Sequence, residues 1–245
     1  MKLRGVKILS VLYLFAGIRH RADVNACLNS IISEFNACCD FDFAVSLVLR
    51  QIELSESGPI SGEVGLQTQA SLVRDILAEK FHIIVVGPPY QSFSRAPFSG
   101  RPGPKPPRDA LWPKGLPHLK PAVLRKVRFE NQMADFAVSI MKAASSVEVL
   151  SLLVAPEDLG PSRLGSPASL WQGSDVHELE NAGMKRAALY QSDFCSDSSP
   201  LPTGILSNAT TLLSDCDIHL GWPRFTNNGR YAGPLPPQRN RRQLI

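Results

Sequence analysis

Cysteine is scarce in this 245-residue chain, and what there is does not form a pattern. The five residues, Cys27, Cys38, Cys39, Cys195 and Cys216, show neither C-x-x-C spacing nor a nearby histidine pair, so no metal site is expected. An odd count with one adjacent pair fits a reducing compartment better than a disulfide framework. Long apolar runs are missing too. The longest, Ile8 to Ile18, is too short to span a bilayer, and no membrane partner is expected. Also missing are the G-x-S-x-G elbow, the Walker loop and the G-x-G-x-x-G fingerprint, which argues against the common hydrolase and nucleotide-binding designs.

Acid is the residue class absent from two particular places. Between Arg95 and Arg128 there are nine lysines and arginines against one acid, Asp109, and from Arg224 to the end there are five arginines and none. The remainder carries 12 basic and 21 acidic residues, so a formal net charge of only +4 conceals an acidic body with two basic segments. Segregation of this kind suits contact with a polyanion, DNA or RNA, and Arg95, Arg101, Lys105, Arg108 and Lys114 are the candidate nucleic-acid contacts. A solvated loop and an irregular tail would give the same composition.

Lys2, Arg4 and Lys7 ahead of the first apolar run imitate a signal peptide. The imitation fails at the cleavage site, where Leu14 or Phe15 would stand three residues upstream in place of a small residue. An intracellular location, nuclear or cytoplasmic, is therefore expected, and the acceptor triplet Asn208-Ala209-Thr210 matters only in a secreted chain.

Periodicity predicts alternating strands and helices. Lys7 to Ala16 reads as a buried strand, Val24 to Phe35 as a helix capped by Asp23 with Val24, Cys27, Leu28, Ile31, Ile32 and Phe35 on one face, and Phe43 to Leu54 as a second strand. A glycine-rich loop over 55–65 precedes a helix over Ala70 to Lys80 with Leu72, Val73, Ile76 and Leu77 inward. The run FHIIVVGPP then gives a strand that stops at Gly87-Pro88-Pro89, because proline has no N–H for the ladder. Ligands of open α/β sheets sit at such carboxyl ends.

Ten of the twenty prolines fall between Pro88 and Pro121, which predicts a long loop that also carries Trp112. A long helix from Ala122 to Ala144, a strand from Val147 to Ala155 ending at Pro156-Glu157, a turn bearing Trp171 and a short helix over 175–182 follow. Met184 to Phe194 and Thr203 to Ser207 predict an antiparallel hairpin at the sheet edge. The fold class expected is α/β, a doubly wound and mainly parallel Rossmann-like sheet. One domain is expected over 1–222, with an irregular basic tail over 223–245.

The order LFAG, an acid after the second strand, GPPYQSFS, proline followed by Glu157 after a later strand, and Gln191 in a later one resembles the DNA cytosine-5 methyltransferases. The likeness spans roughly Val11 to Asn208. It implies a sheet of the methyltransferase type that binds S-adenosylmethionine across its strand ends. By that resemblance Phe15, Ala16 and Gly17 line the methionine end of the cofactor, Glu53 holds the ribose hydroxyls, and Gly87 and Pro88 meet the adenine side. Glu157 steadies the target base, and Tyr90 with Gln91 occupies the catalytic loop.

Departures narrow what the resemblance implies. Tyr90 stands where the family has its nucleophilic cysteine, and a phenol is a poor substitute for a thiolate, so the standard cytosine-5 mechanism is not expected. Pro88-Pro89-Tyr90 is similar instead to the Pro-Pro-aromatic motif of amino-methyltransferases, in which the aromatic stacks on a flipped base. Arg19, His20 and Arg21 replace the family's glycines in the first loop, and the arginines that accompany its later glutamine are missing. Three readings follow: a nucleobase methyltransferase, an inactive relative that binds nucleic acid or a protein through its basic loop, and a different α/β enzyme with an anion at the first helix.

Overall fold

The computed structural model describes residues 5–15, 24–38, 43–52, 62–98, 100, 103–190, 202–211, 213 and 231–232. The expected tail over 223–245, the cap Asp23, Arg19 to Arg21 and Gln191 lie outside these or nearly so. Among the described residues there are six strands, β1 (Gly5–Leu14), β2 (Phe43–Ile52), β3 (Ile83–Val86), β4 (Leu150–Pro156), β5 (Lys185–Tyr190) and β6 (Pro202–Ser207). They form one mixed sheet in the order β2-β1-β3-β4-β6-β5. Helices among the described residues include α1 (Val24–Cys38), α2 (Gly62–Leu77), α3 (Pro121–Ser146) and α4 (Ser174–Asn181). The fold is α/β, mostly parallel with an antiparallel edge, and is compatible with a Rossmann-like arrangement. By packing the chain divides into two compact units, one of Met1–Pro89 with Asp135–Leu153, the other of Tyr90–Ala134 with Val154–Ile245.

In the first unit β1 is flanked by parallel partners, β2 along all ten residues and β3 at Val11–Leu14 against Ile83–Val86. Leu12, Leu14, Ile84 and Val86, alternate residues on one face of β1 and β3, are fully buried, whereas Tyr13, Ile83 and Val85 between them are half-buried and Val6, Ile8 and Val48 are exposed, so the two-sided burial expected of the apolar runs is met only in part. The Asn36 side chain of α1 donates to the Val45 carbonyl and accepts its N–H, both at 2.8 Å, and so ties the helix to β2. α1 turns Leu28, Ile32 and Phe35 inward, but Cys27 and Ile31 are exposed, so its apolar face is narrower than expected.

Two boundaries differ from the expectation. α2 begins at Gly62, inside the expected loop, and Gly65 is buried on the face shared with Leu72 and Ile76, a seven-residue spacing that returns to the same side of a helix. Leu77, expected inward, is 49% exposed. Secondly, β4 starts at Leu150, because the chain first closes α3 with a turn in which Glu148 takes φ 56° and the Val149 N–H reaches the Ala144 carbonyl.

In the second unit β5 and β6 pair antiparallel from Lys185 against Ser207 to Tyr190 against Pro202, as the hairpin expectation required. Among its described residues the proline-rich stretch ahead of α3 holds two single-turn 3₁₀ segments, Gln91–Phe93 and Ala96–Phe98, and no longer element. No described helix is long and apolar enough to cross a membrane.

Candidate functional site

The first unit gathers three strand ends. The Phe15 N–H donates to the Ile52 carbonyl at 2.8 Å, and the Gly87 N–H to the Leu14 carbonyl at 3.2 Å. Phe15 adopts φ 63°, a left-handed conformation that is strained for a bulky side chain and turns the chain sharply as β1 ends. Its ring is buried edge-to-face against Phe136, with centroids 6.5 Å apart. Pro88 is buried as well. Of the residues the resemblance gives to a cofactor, Phe15, Gly87 and Pro88 are thus brought to the carboxyl ends of β1 and β3. Ala16, Gly17 and Glu53 lie outside the described residues.

In the second unit Tyr90 and Gln91 open a tightly anchored turn. Tyr90 is 44% exposed, and its carbonyl accepts the Phe93 N–H at 3.0 Å. The Gln91 side-chain oxygen accepts from Lys126 Nζ. One residue on, both the N–H and the hydroxyl of Ser92 donate to a single oxygen of Glu130, a carboxylate almost wholly buried. Arg108 provides the countercharge, with Nη2 4.0 Å from that oxygen, and its guanidinium lies 3.8 Å above the Phe93 ring.

Arg108 was expected to contact nucleic acid at the surface, and the structure corrects this. It is 1% exposed, with Nη1 bonded to the Pro113 carbonyl at 2.7 Å and to Asn131 at 2.8 Å. Burial pushes its pKa down to about 10, the Glu130 carboxylate opposing, so it remains a cation at neutral pH. Its work is internal bracing. Arg95 is half-buried, and its guanidinium donates to the carbonyls of Leu159, Gly160 and Pro161 at 2.6 to 3.0 Å. Lys105 and Lys114 are exposed, as expected of contacts, and Arg101 lies outside the described residues.

Those Arg95 bonds tie the Tyr90 segment to the loop that follows β4, where Glu157 sits. Glu157 is held on three sides. Its N–H donates to the Pro202 carbonyl at 3.0 Å, one carboxylate oxygen accepts from Arg186 of β5, and the other, Oε2, is buried with no hydrogen-bond partner. The Arg186 guanidinium lies 4.7 Å from the Trp171 ring, and Trp171 Nε1 donates to the Pro156 carbonyl at 2.7 Å. Gly204 completes the enclosure: a Cβ there would stand 2.6 Å from Oε2 and 2.7 Å from Trp171, so no other residue fits without displacement. Burial raises the Glu157 carboxyl, Arg186 opposes and Asp158 adds to the rise, leaving it pushed up to about 7.

Arg186, Trp171, Gly204 and Glu130 are the residues that sequence reasoning missed as site members. Arg186 supplies a cation to Glu157, and no local motif marks it because the pairing spans 29 positions. Among the described residues no group of three or more histidines, cysteines and acids is placed to hold a metal, and Cys27 and Cys38 are free thiols at the surface. No protein-family model matches the chain, and no curated protein matches it either.

Proposed function

We propose that the protein is an S-adenosylmethionine-dependent methyltransferase-like protein that acts on a nucleobase or binds nucleic acid. The observation that carries this reading is the left-handed turn at Phe15, where β1 ends beside the ends of β2 and β3. A chain that turns sharply at that point lets backbone approach a ligand at the carboxyl ends of a parallel sheet. Phe15, Ala16 and Gly17 would border the cofactor there, Glu53 would accept its two ribose hydroxyls, and Gly87 and Pro88 would flank its adenine. Bound S-adenosylmethionine supplies an electrophilic methyl group. Tyr90 would stack on an extruded base, Gln91 would sit beside it, and Glu157 would hydrogen-bond the base edge, in a reaction at an exocyclic nitrogen that requires no cysteine.

A second reading, an inactive relative that binds nucleic acid or a protein partner, is favoured by the surroundings of Glu157. One of its oxygens is paired with Arg186 and the other faces the space that Gly204 leaves beside Trp171. A carboxylate so enclosed serves packing as well as it would serve a base.

Calorimetric titration with S-adenosylmethionine and S-adenosylhomocysteine separates the two. Micromolar binding, equivalent to about 8 kcal/mol, with a rise in melting temperature is the result expected of the methyltransferase reading. Absence of heat and of any melting shift for both ligands overturns it in favour of the binding module.

A further inference from the structure

The loop between Lys105 and α3 holds apolar side chains out in water on a rigid support. Leu111 is 80% exposed and Trp112 48% exposed. Neither rides on a slack chain. The Trp112 N–H donates to Asp109 Oδ1 at 2.7 Å, its carbonyl accepts the Gly115 N–H at 3.0 Å, and Leu116 N–H reaches the Pro107 carbonyl at 2.9 Å. From beneath, Arg108 grips the Pro113 carbonyl and Asn131 Nδ2 donates to the Lys114 carbonyl at 2.9 Å. The turn is thereby fastened to the second and third turns of α3.

The segment that carries this tip is charged almost entirely with one sign. Lys105, Lys114, Lys120, Arg125 and Arg128 are all exposed, Lys126 reaches Gln91, and the only acid from 95 to 128, Asp109, is engaged in capping the turn. A rigid, exposed indole in a cation-rich segment matches the pattern by which proteins take up single strands, with a base stacked on the aromatic and phosphates on the charges. Duplex nucleic acid hides its base faces in the stack and gives an indole nothing to cover. We propose that the surface centred on Trp112 binds single-stranded nucleic acid, the indole taking a base and Lys105, Lys114 and the first turns of α3 taking phosphates. This rests on the nucleic-acid part of the function proposed above and is independent of its methyl-transfer part.

The test is fluorescence anisotropy of a labelled 20-nucleotide oligo-dT titrated with the full chain, beside a duplex of equal length. The expected result is tighter binding of the single strand, weakening with salt, and a loss of about 5- to 150-fold for Trp112→Ala. Trp112→Phe, which keeps a ring, should restore most of the affinity. Unchanged single-strand affinity in Trp112→Ala, equal binding of the duplex with the same indifference to Trp112, or no binding at all overturns the proposal. So does a concentration-dependent rise in sedimenting mass that Trp112→Ala abolishes, since the surface would then be a contact between copies. Titration of S-adenosylmethionine on the same samples keeps the outcomes separate: oligo-dT binding without cofactor binding removes only the methyltransferase reading.

Discussion

At the scale of single residues, Glu157 carries the chemistry most altered by its surroundings. An unfolded glutamate titrates near 4.5 and the folded one near 7. Below pH 4.5 both states hold the proton and the site has no effect on stability. Between these values the unfolded chain releases its proton while the folded chain keeps it, so stability falls as pH rises, with the full loss, on the order of 3 kcal/mol, present above pH 7. Glu157→Gln abolishes the titration while keeping the shape. Urea unfolding should show wild type losing stability relative to this variant from pH 4.5 to 7 and holding a constant difference above. A difference that moves the other way would mean that the Arg186 pairing outweighs burial.

At the scale of elements, the Tyr90–Phe93 turn depends on a helix 38 positions away. Glu130 of α3 receives both Ser92 donors, and Arg108 is buried beside it. Glu130→Ala leaves that guanidinium without its countercharge and should destabilise the chain by about 3–5 kcal/mol. The local sign is faster hydrogen exchange at the Ser92 amide than at the amides of β1, measured under conditions where the chain remains folded. Exchange that accelerates equally in both places would assign Glu130 to general stability and not to the turn.

At the scale of the whole molecule, the placement of charge matters more than its total. Reversing Lys105 and Lys114 to glutamate removes the whole formal net charge of +4, and so does reversing Arg163 and Lys185, which are equally exposed. The first pair should elute from immobilised heparin at clearly lower salt than wild type. The second pair should elute close to wild type. Equal retention of both variants would show that net charge governs the interaction, since contacts between individual charges act within about 10 Å at 0.1 M salt and would tell the two pairs apart.

The sequence by itself determined the alternation of strands and helices. The apolar run Ile83–Val86, of which Ile84 and Val86 are buried, and α3's buried stripe of Met133, Phe136, Ala137, Ile140 and Met141 are local patterns readable from neighbours in the chain. It also determined where β3 stops, because Pro88 and Pro89 have no N–H. The helical start at Gly62 was hidden, since glycines signal a loop, and only the fold shows Gly65 buried on a helix face. Only the tertiary structure decided the fate of the charges. Arg95, Arg108, Lys105 and Lys114 share one basic segment, yet the first two are drawn inside by carbonyls and a carboxylate up to 66 positions away. Arg186 and Gly204 acquire their roles in the same way, through distances that no local pattern encodes. Periodicity is a property of neighbours in sequence, whereas ion pairing and close approach belong to neighbours in space.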